Sequence, residues 1–159
     1  DMEIRFSLSL PRDEISIPIV RRMCTQSLKV LGAHQECVDD VELALTEACA
    51  NVLKHAQAYD WYEVSVNVDN QVAAIEVLDN GGGFDVFQID AMILEASADD
   101  TICEDGRGIY VMHELMDSVQ FDIVDGPRPG IRVHLEKLLQ WDESAPAIRL
   151  ERAPAHCGS

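Results

Sequence analysis

Glu42-Leu43-Ala44-Leu45-Thr46-Glu47-Ala48-Cys49-Ala50-Asn51-Val52-Leu53-Lys54-His55-Ala56 is the stretch on which the fold turns. At about 100° per residue, Val38, Val41, Leu45, Ala48, Cys49, Val52 and Ala56 share one broad arc of a helix. Glu47, Asn51, Lys54 and His55 share the opposite arc, about one turn apart along it. The apolar arc is ordinary core. The polar arc is less ordinary. A solvated face is usually rich in Lys and Glu, whereas a carboxylate, an amide one turn on and then a basic pair could hold a ligand. For a lone Glu, simple solvent exposure is the common outcome. Asn51 shifts that balance, because Asn is a poor helix-interior residue and its carbonyl is a serviceable ligand for a hard cation.

Outward from this helix the chain alternates clearly. Ile4, Phe6, Leu8 and Leu10 alternate with polar residues, which predicts a half-buried strand over Met2 to Leu10. Pro11-Arg12-Asp13-Glu14 opens a helix that Gly32 stops, with Pro18 inside it; Ile15, Ile19, Met23 and Val30 are expected to face the core. The central helix spans about Gln35 to Ala56. Trp61 to Val68 and Gln71 to Leu78 predict a hairpin turning at Asp69-Asn70. A short helix is expected over Ile89 to Ala96 and a loop over Ser97 to Asp105. Gly106-Arg107-Gly108 leads into a helix with Ile109, Met112, Leu115 and Met116 as its apolar stripe. Ser118 to Val124 and Ile131 to Leu135 read as strands, with a brief helix to Trp141. From Asp142 the sequence loses its period and reads as a loosely ordered tail. The fold class is α+β: a two-layer sandwich, its mixed, mostly antiparallel sheet covered on one face by helices.

Composition bounds the function. With 159 residues, 47% hydrophobic and 26% charged, the chain is one domain with a real core. A net charge of −17 repels nucleic acid and anionic membrane surfaces, so neither is an expected partner; it favours a basic protein. Screening over about 8 Å still lets a local positive site hold a phosphate. Cys24, Cys37, Cys49, Cys103 and Cys157 are odd in number, widely spaced and free of C-x-x-C pairs. That argues against a disulfide framework or zinc site and for a cytoplasmic location. No apolar run approaches the roughly 20 residues of a membrane span.

Two glycine-rich stretches carry the remaining signal. In Asp79-Asn80-Gly81-Gly82-Gly83 three glycines exceed what a turn needs, and no strand follows at once. Such a run suits close approach of backbone to a ligand, and Asp79 beside it can accept from an amino group. Gly106-Arg107-Gly108 places free N–H groups at a helix start, a site for phosphate oxygens to which Arg107 adds charge. Neither stretch is a Walker loop or a Rossmann fingerprint.

Together, Glu47-x-x-x-Asn51 on a helix, Asp79-x-Gly81-x-Gly83 after a strand and Gly106-x-Gly108 opening a helix resemble the GHKL ATPase superfamily, whose domain is the Bergerat ATP-binding fold. The nearer resemblance is to its bacterial anti-sigma factor/serine-protein kinase branch. Glu42 to Ala56 is similar to the N box, Val77 to Phe84 to the first glycine box and Gly106 to Met116 to the second. The likeness covers Met2 to Leu139, giving a histidine-kinase-like ATPase domain of the anti-sigma type over residues 1–141 and the tail over 142–159.

The resemblance implies ATP and Mg²⁺ as cofactors. It implies that Asn51 coordinates the Mg²⁺, that Asp79 binds the adenine amino group, and that Gly81 and Gly83 let base and ribose approach. Gly106, Arg107 and Gly108 would hold phosphates, and the segment between the glycine boxes would form a lid. Glu47 would be the catalytic base for a protein hydroxyl. Lys54 and His55 stay open between phosphate contact and support of the groups around it. The implied partners are a sigma factor, a STAS-domain anti-anti-sigma protein phosphorylated on Ser or Thr, and a second copy in a homodimer. One departure stands out: Gly130-Ile131 replaces the Gly-Thr usual in the final strand. Alternatives are an anti-sigma binding module without kinase activity, another GHKL ATPase, or a detached histidine-kinase catalytic domain.

Overall fold

The computed structural model describes residues 2–55, 61–79, 107–124 and 130–152. Five strands, β1 (Glu3–Pro11), β2 (Trp61–Asp69), β3 (Val72–Asp79), β4 (Ser118–Val124) and β5 (Gly130–Leu138), form one sheet in the order β1-β2-β3-β5-β4. Each of its described pairings is antiparallel. The helices are α1 (Ser16–Leu31), α2 (Gln35–His55), α3 (Arg107–Leu115) and α4 (Pro146–Arg152). This is the expected α+β sandwich.

Alternation explains the two faces of the sheet. Tyr62, Val64, Val66 and Val68 of β2 are buried, as are Ala73, Ile75 and Val77 of β3 and Ile131, Val133 and Leu135 of β5. Helix α2 packs between α1 and α3. Its predicted arc is buried throughout: Val38, Val41, Leu45, Ala48, Cys49 and Val52. Ala56 lies outside the described residues. Lys137 ties the layers, its Nζ donating to Asp40 Oδ2 at 2.9 Å and to the Leu115 carbonyl near the end of α3 at 2.7 Å.

Helix α1 corrects the sequence reading in start and phase. The Asp13 carboxylate accepts the Ile15 N–H at 2.9 Å, a turn that holds the chain out of helix until Ser16. Pro18 then falls in the first turn, where no intrahelical acceptor awaits an N–H. The buried side is Ser16, Val20, Cys24, Thr25, Leu28 and Leu31. Ile15, Ile19, Met23 and Val30, expected in the core, are 59%, 44%, 43% and 70% exposed. The helix is rotated by one residue because Ser16 is anchored inside, its hydroxyl 2.5 Å from the Tyr62 hydroxyl.

The C-terminal segment is a second correction. The brief helix expected up to Trp141 does not form; instead Trp141 bridges to Ala33 and donates its indole N–H to the Asn70 carbonyl at 2.7 Å. Residues 142–152 are not a loose tail. Ala145 and Ala147 are buried, Asn70 donates to the Ala147 carbonyl at 3.2 Å, and α4 follows. Small residues dock this segment, so it has no apolar stripe to read. Residues 153–159, the expected helix over Ile89 to Ala96 and the loop over Ser97 to Asp105 lie outside the described residues.

Gly32 makes the docking close. Its φ is 91°, and its N–H caps α1 on the Leu28 and Lys29 carbonyls. A Cβ there would lie 2.5 Å from Ala145 Cβ and 2.8 Å from Ala145 Cα. Left-handed alanine costs about 1–2 kcal/mol and overpacking about 1–3 kcal/mol more. Gly32→Ala is therefore expected to lower the midpoint of thermal unfolding, followed by circular dichroism, on the order of 10 °C.

Candidate functional site

Glu47, on the polar arc of α2, meets α3. Glu47 and Asn51 stand one turn apart, about 6 Å along the axis. The Glu47 carboxylate rests against Gly108, the second residue of α3: a Cβ added to Gly108 would lie 2.5 Å from Oε2. A side chain at Gly108 would push the Glu47 carboxylate out of that position. The first N–H groups of a helix lack intrahelical acceptors and carry partial positive charge, so this position favours an anion. The expectation that a helix starts at Gly106-Arg107-Gly108 holds from Arg107. Ile109, Met112 and Met116 bury the far side of the helix. Gly106 and the Arg107 side chain lie outside the described residues.

Asn51 carries the clearest sign of a ligand. Its Nδ2 is buried and has no hydrogen-bond partner among the described residues. A buried amide without a partner is costly, and one at a binding site completes its bonds with the ligand. This fits a nucleotide with its metal: the Asn51 carbonyl suits Mg²⁺, and the amide N–H suits a phosphate oxygen. Mg²⁺ held with a nucleotide takes few protein ligands. Among the described residues no three His, Cys, Asp or Glu side chains form a protein metal cage.

Asp79 extends the core-facing row of Ala73, Ile75 and Val77 and is itself fully buried. Among the described residues Arg12, in the turn between β1 and α1, contacts it; the Asp79 and Arg12 side chains are 0% and 6% exposed. Ile131 lies directly across from Asp79 in the β3–β5 register and is also buried. The departure in the final strand therefore stands beside the carboxylate for which the resemblance implies a base-binding role. Gly81 and Gly83 lie outside the described residues.

Sequence reasoning missed Arg12. The alternation of β3 held the signal, since an Asp on the apolar face requires a counter-charge. Arg12 also joins Asp79 to α2, because it lines a groove of about 410 Å³ with Glu14, Ile17, Ala50, Leu53 and Lys54. Lys54 is exposed on that side; the His55 side chain lies outside the described residues. Beneath the site, burial pushes the Cys49 thiol up to about 12, as it does that of Cys24. Burial likewise raises Tyr62, whose hydroxyl bonds Ser16. These thiols stay protonated at neutral pH and are core, not nucleophiles.

A two-layer α+β domain with a Glu-x-x-x-Asn helix, a buried Asp ending a central strand and a Gly-opened helix has the architecture of a GHKL nucleotide-binding domain. Residues 10–135 match the family model of the histidine kinase-like ATPase domain. The serine-protein kinase RsbW of Bacillus licheniformis is 31% identical over 129 residues, covering 77% of this chain and 78% of that protein. The RsbW of Bacillus pumilus (strain SAFR-032) is 28% identical over 145 residues, covering 83% and 84%. That of Bacillus cereus (strain G9842) is 23% identical over 121 residues, covering 73% and 76%. The chain belongs to the histidine kinase-like ATPase family, in its anti-sigma factor/serine-protein kinase branch. Among the described residues no helix is long and apolar enough to cross a membrane.

Proposed function

We propose that this protein is an ATP-Mg²⁺-dependent kinase of a Ser or Thr hydroxyl on a STAS-type anti-anti-sigma protein, and that it sequesters a sigma factor by partner switching in the cytoplasm. The observation that carries the enzymatic half is the α2–α3 juxtaposition: a buried Asn51 Nδ2 with no hydrogen-bond partner among the described residues, one turn from a Glu47 carboxylate seated at a helix N-terminus. ATP-Mg²⁺ supplies the transferable phosphoryl group and the metal charge. The chain supplies position and electrostatics, which dominate phosphoryl transfer. Asn51 holds the phosphate end. The start of α3 offers N–H groups to phosphate oxygens. Glu47, beside that anion site, aligns the incoming hydroxyl and accepts its proton.

Support for a protein partner comes from α1. Ile15, Ile19 and Met23 form an exposed apolar row at i, i+4 and i+8, with exposed Arg22 beside them. The net charge of −17 favours a basic partner. The homodimer implied by the resemblance belongs to the same proposal.

A second reading, an anti-sigma module with little or no transfer activity, is favoured by Ile131. An aliphatic residue across from Asp79 offers no hydrogen bond to a bound base. The two readings separate in a transfer assay with γ-labelled ATP-Mg²⁺ and a STAS-domain antagonist. The kinase reading predicts acid-stable label on the antagonist. Acid-labile label points to a phosphohistidine chemistry, and absence of label with ATP bound leaves the binding module.

A further inference from the structure

We infer that Glu76, His134 and Glu136 form a proton-operated clasp between β3 and β5, on the face of the sheet turned away from the core, and that loss of the proton hands Glu76 over to Arg132.

Strand alternation brings these groups together. Ile131, Val133 and Leu135 of β5 are buried in the core, so Arg132, His134 and Glu136 point to the other face. There His134 lies directly across from Glu76 on β3 and from Gln120 on β4. Its Nδ1 is 3.2 Å from Glu76 Oε1, and its Nε2 is 3.0 Å from Glu136 Oε1. An ionised carboxylate only accepts hydrogen bonds, so both contacts are satisfied only when both ring nitrogens carry a proton. The geometry selects the imidazolium. The other charged groups around the ring are Arg132 on its own strand and Asp122, across from Arg132 on β4. Arg5 of β1 lines the same groove of about 270 Å³. Partial burial pulls the imidazole pKa down, but the bonds to Glu136 and Glu76 outweigh it, and the pKa is raised.

A second arrangement stands beside the first. Arg132 Nε is buried without a hydrogen-bond partner among the described residues, and Glu76 Oε2 is 4.0 Å from it. A neutral imidazole keeps one N–H. The shorter contact, to Glu136, retains it, and the bare Nδ1 then turns a lone pair toward Glu76. Glu76 leaves the ring for the permanent charge of Arg132, whose unmet Nε–H it completes. Deprotonation thus moves the tie between the strands one pleat closer to Asp79 and Ile131, which face each other further along the same pair. The sign follows from the raised pKa. The stabilisation is fully present below the ordinary histidine value of about 6.5 and is lost as pH rises through the higher folded value.

An NMR pH titration of the histidine Cε1–H signals tests this, with His134→Gln assigning the His134 signal. The wild-type His134 pKa is expected above about 6.5. Glu76→Gln and Glu136→Gln are each expected to lower it, and Arg132→Gln to raise it by removing the rival cation. The midpoint of thermal unfolding, measured against that of His134→Gln, is expected to fall by a few degrees as pH rises through that pKa. A His134 that titrates at or below the ordinary value overturns the inference. So does a pKa that Glu76→Gln leaves unmoved, or a midpoint difference that does not change with pH. A pKa in Arg132→Gln equal to or below that of the wild type refutes the exchange between the two cations. Circular dichroism checks folding. If Glu76→Gln does not fold, the wild-type titration and Glu136→Gln decide the clasp, and Arg132→Gln decides the exchange.

Discussion

Glu47→Gln is expected to reduce phosphoryl transfer to the antagonist by about 10²–10⁴-fold, the usual contribution of a positioned acid–base group. ATP-Mg²⁺ affinity should stay within a few-fold of wild type, because the proposed role of Glu47 is toward the hydroxyl and not the nucleotide. The amide matches the carboxylate in size, so it fits the room left by Gly108, where a Cβ would lie 2.5 Å from Oε2. It removes the negative charge from the start of α3 and the ability to take a proton. Single-turnover transfer beside equilibrium binding reads the two effects separately. Transfer at the wild-type rate would remove Glu47 from the reaction.

Asn51→Ala has the largest expected effect on binding. Loss of a ligand to the metal and of a donor to phosphate should weaken ATP-Mg²⁺ by about 10–100-fold, as expected for bonds to charged groups. The fold should tolerate the change. The buried Nδ2 has no hydrogen-bond partner among the described residues, so truncation breaks no described bond of that group. Alanine also favours the helix. The midpoint of thermal unfolding without nucleotide should stay within a few degrees of wild type, and the stabilisation by added ATP-Mg²⁺ should largely vanish. Affinity equal to wild type would remove Asn51 from the metal site.

What the sequence discloses tracks how strictly a local rule binds. The long apolar arc of α2 has one helical phase that buries it, so its core face and its polar stripe were both legible. The hairpin was equally plain, with alternation fixing which face of β2 and β3 is buried. Helix α1 was not. It has two nearly equal apolar arcs, and the choice between them was made by a tertiary contact, Ser16 on Tyr62. Counting Ile, Met and Val selected the wrong arc because Cys24, Thr25 and Ser16 fill the right one. The α4 segment was hidden for a related reason, since Ala145 packs on Gly32 without needing a stripe. At the candidate site, Asn51 drew notice as a poor helix-interior residue, Glu47 by standing one turn before it and Asp79 by the glycines beside it. Arg12 did not, because a counter-charge brought across the sheet end leaves no spacing in the chain.

The central claim is that the α2 polar stripe and Asp79 form a nucleotide site. Calorimetric titration of ATP into the folded chain, with Mg²⁺ and then with the metal chelated, tests it most directly. Saturable binding that weakens without Mg²⁺, and that Asn51→Ala loses, is the predicted result. No heat on titration and no thermal shift with ATP-Mg²⁺ would contradict it.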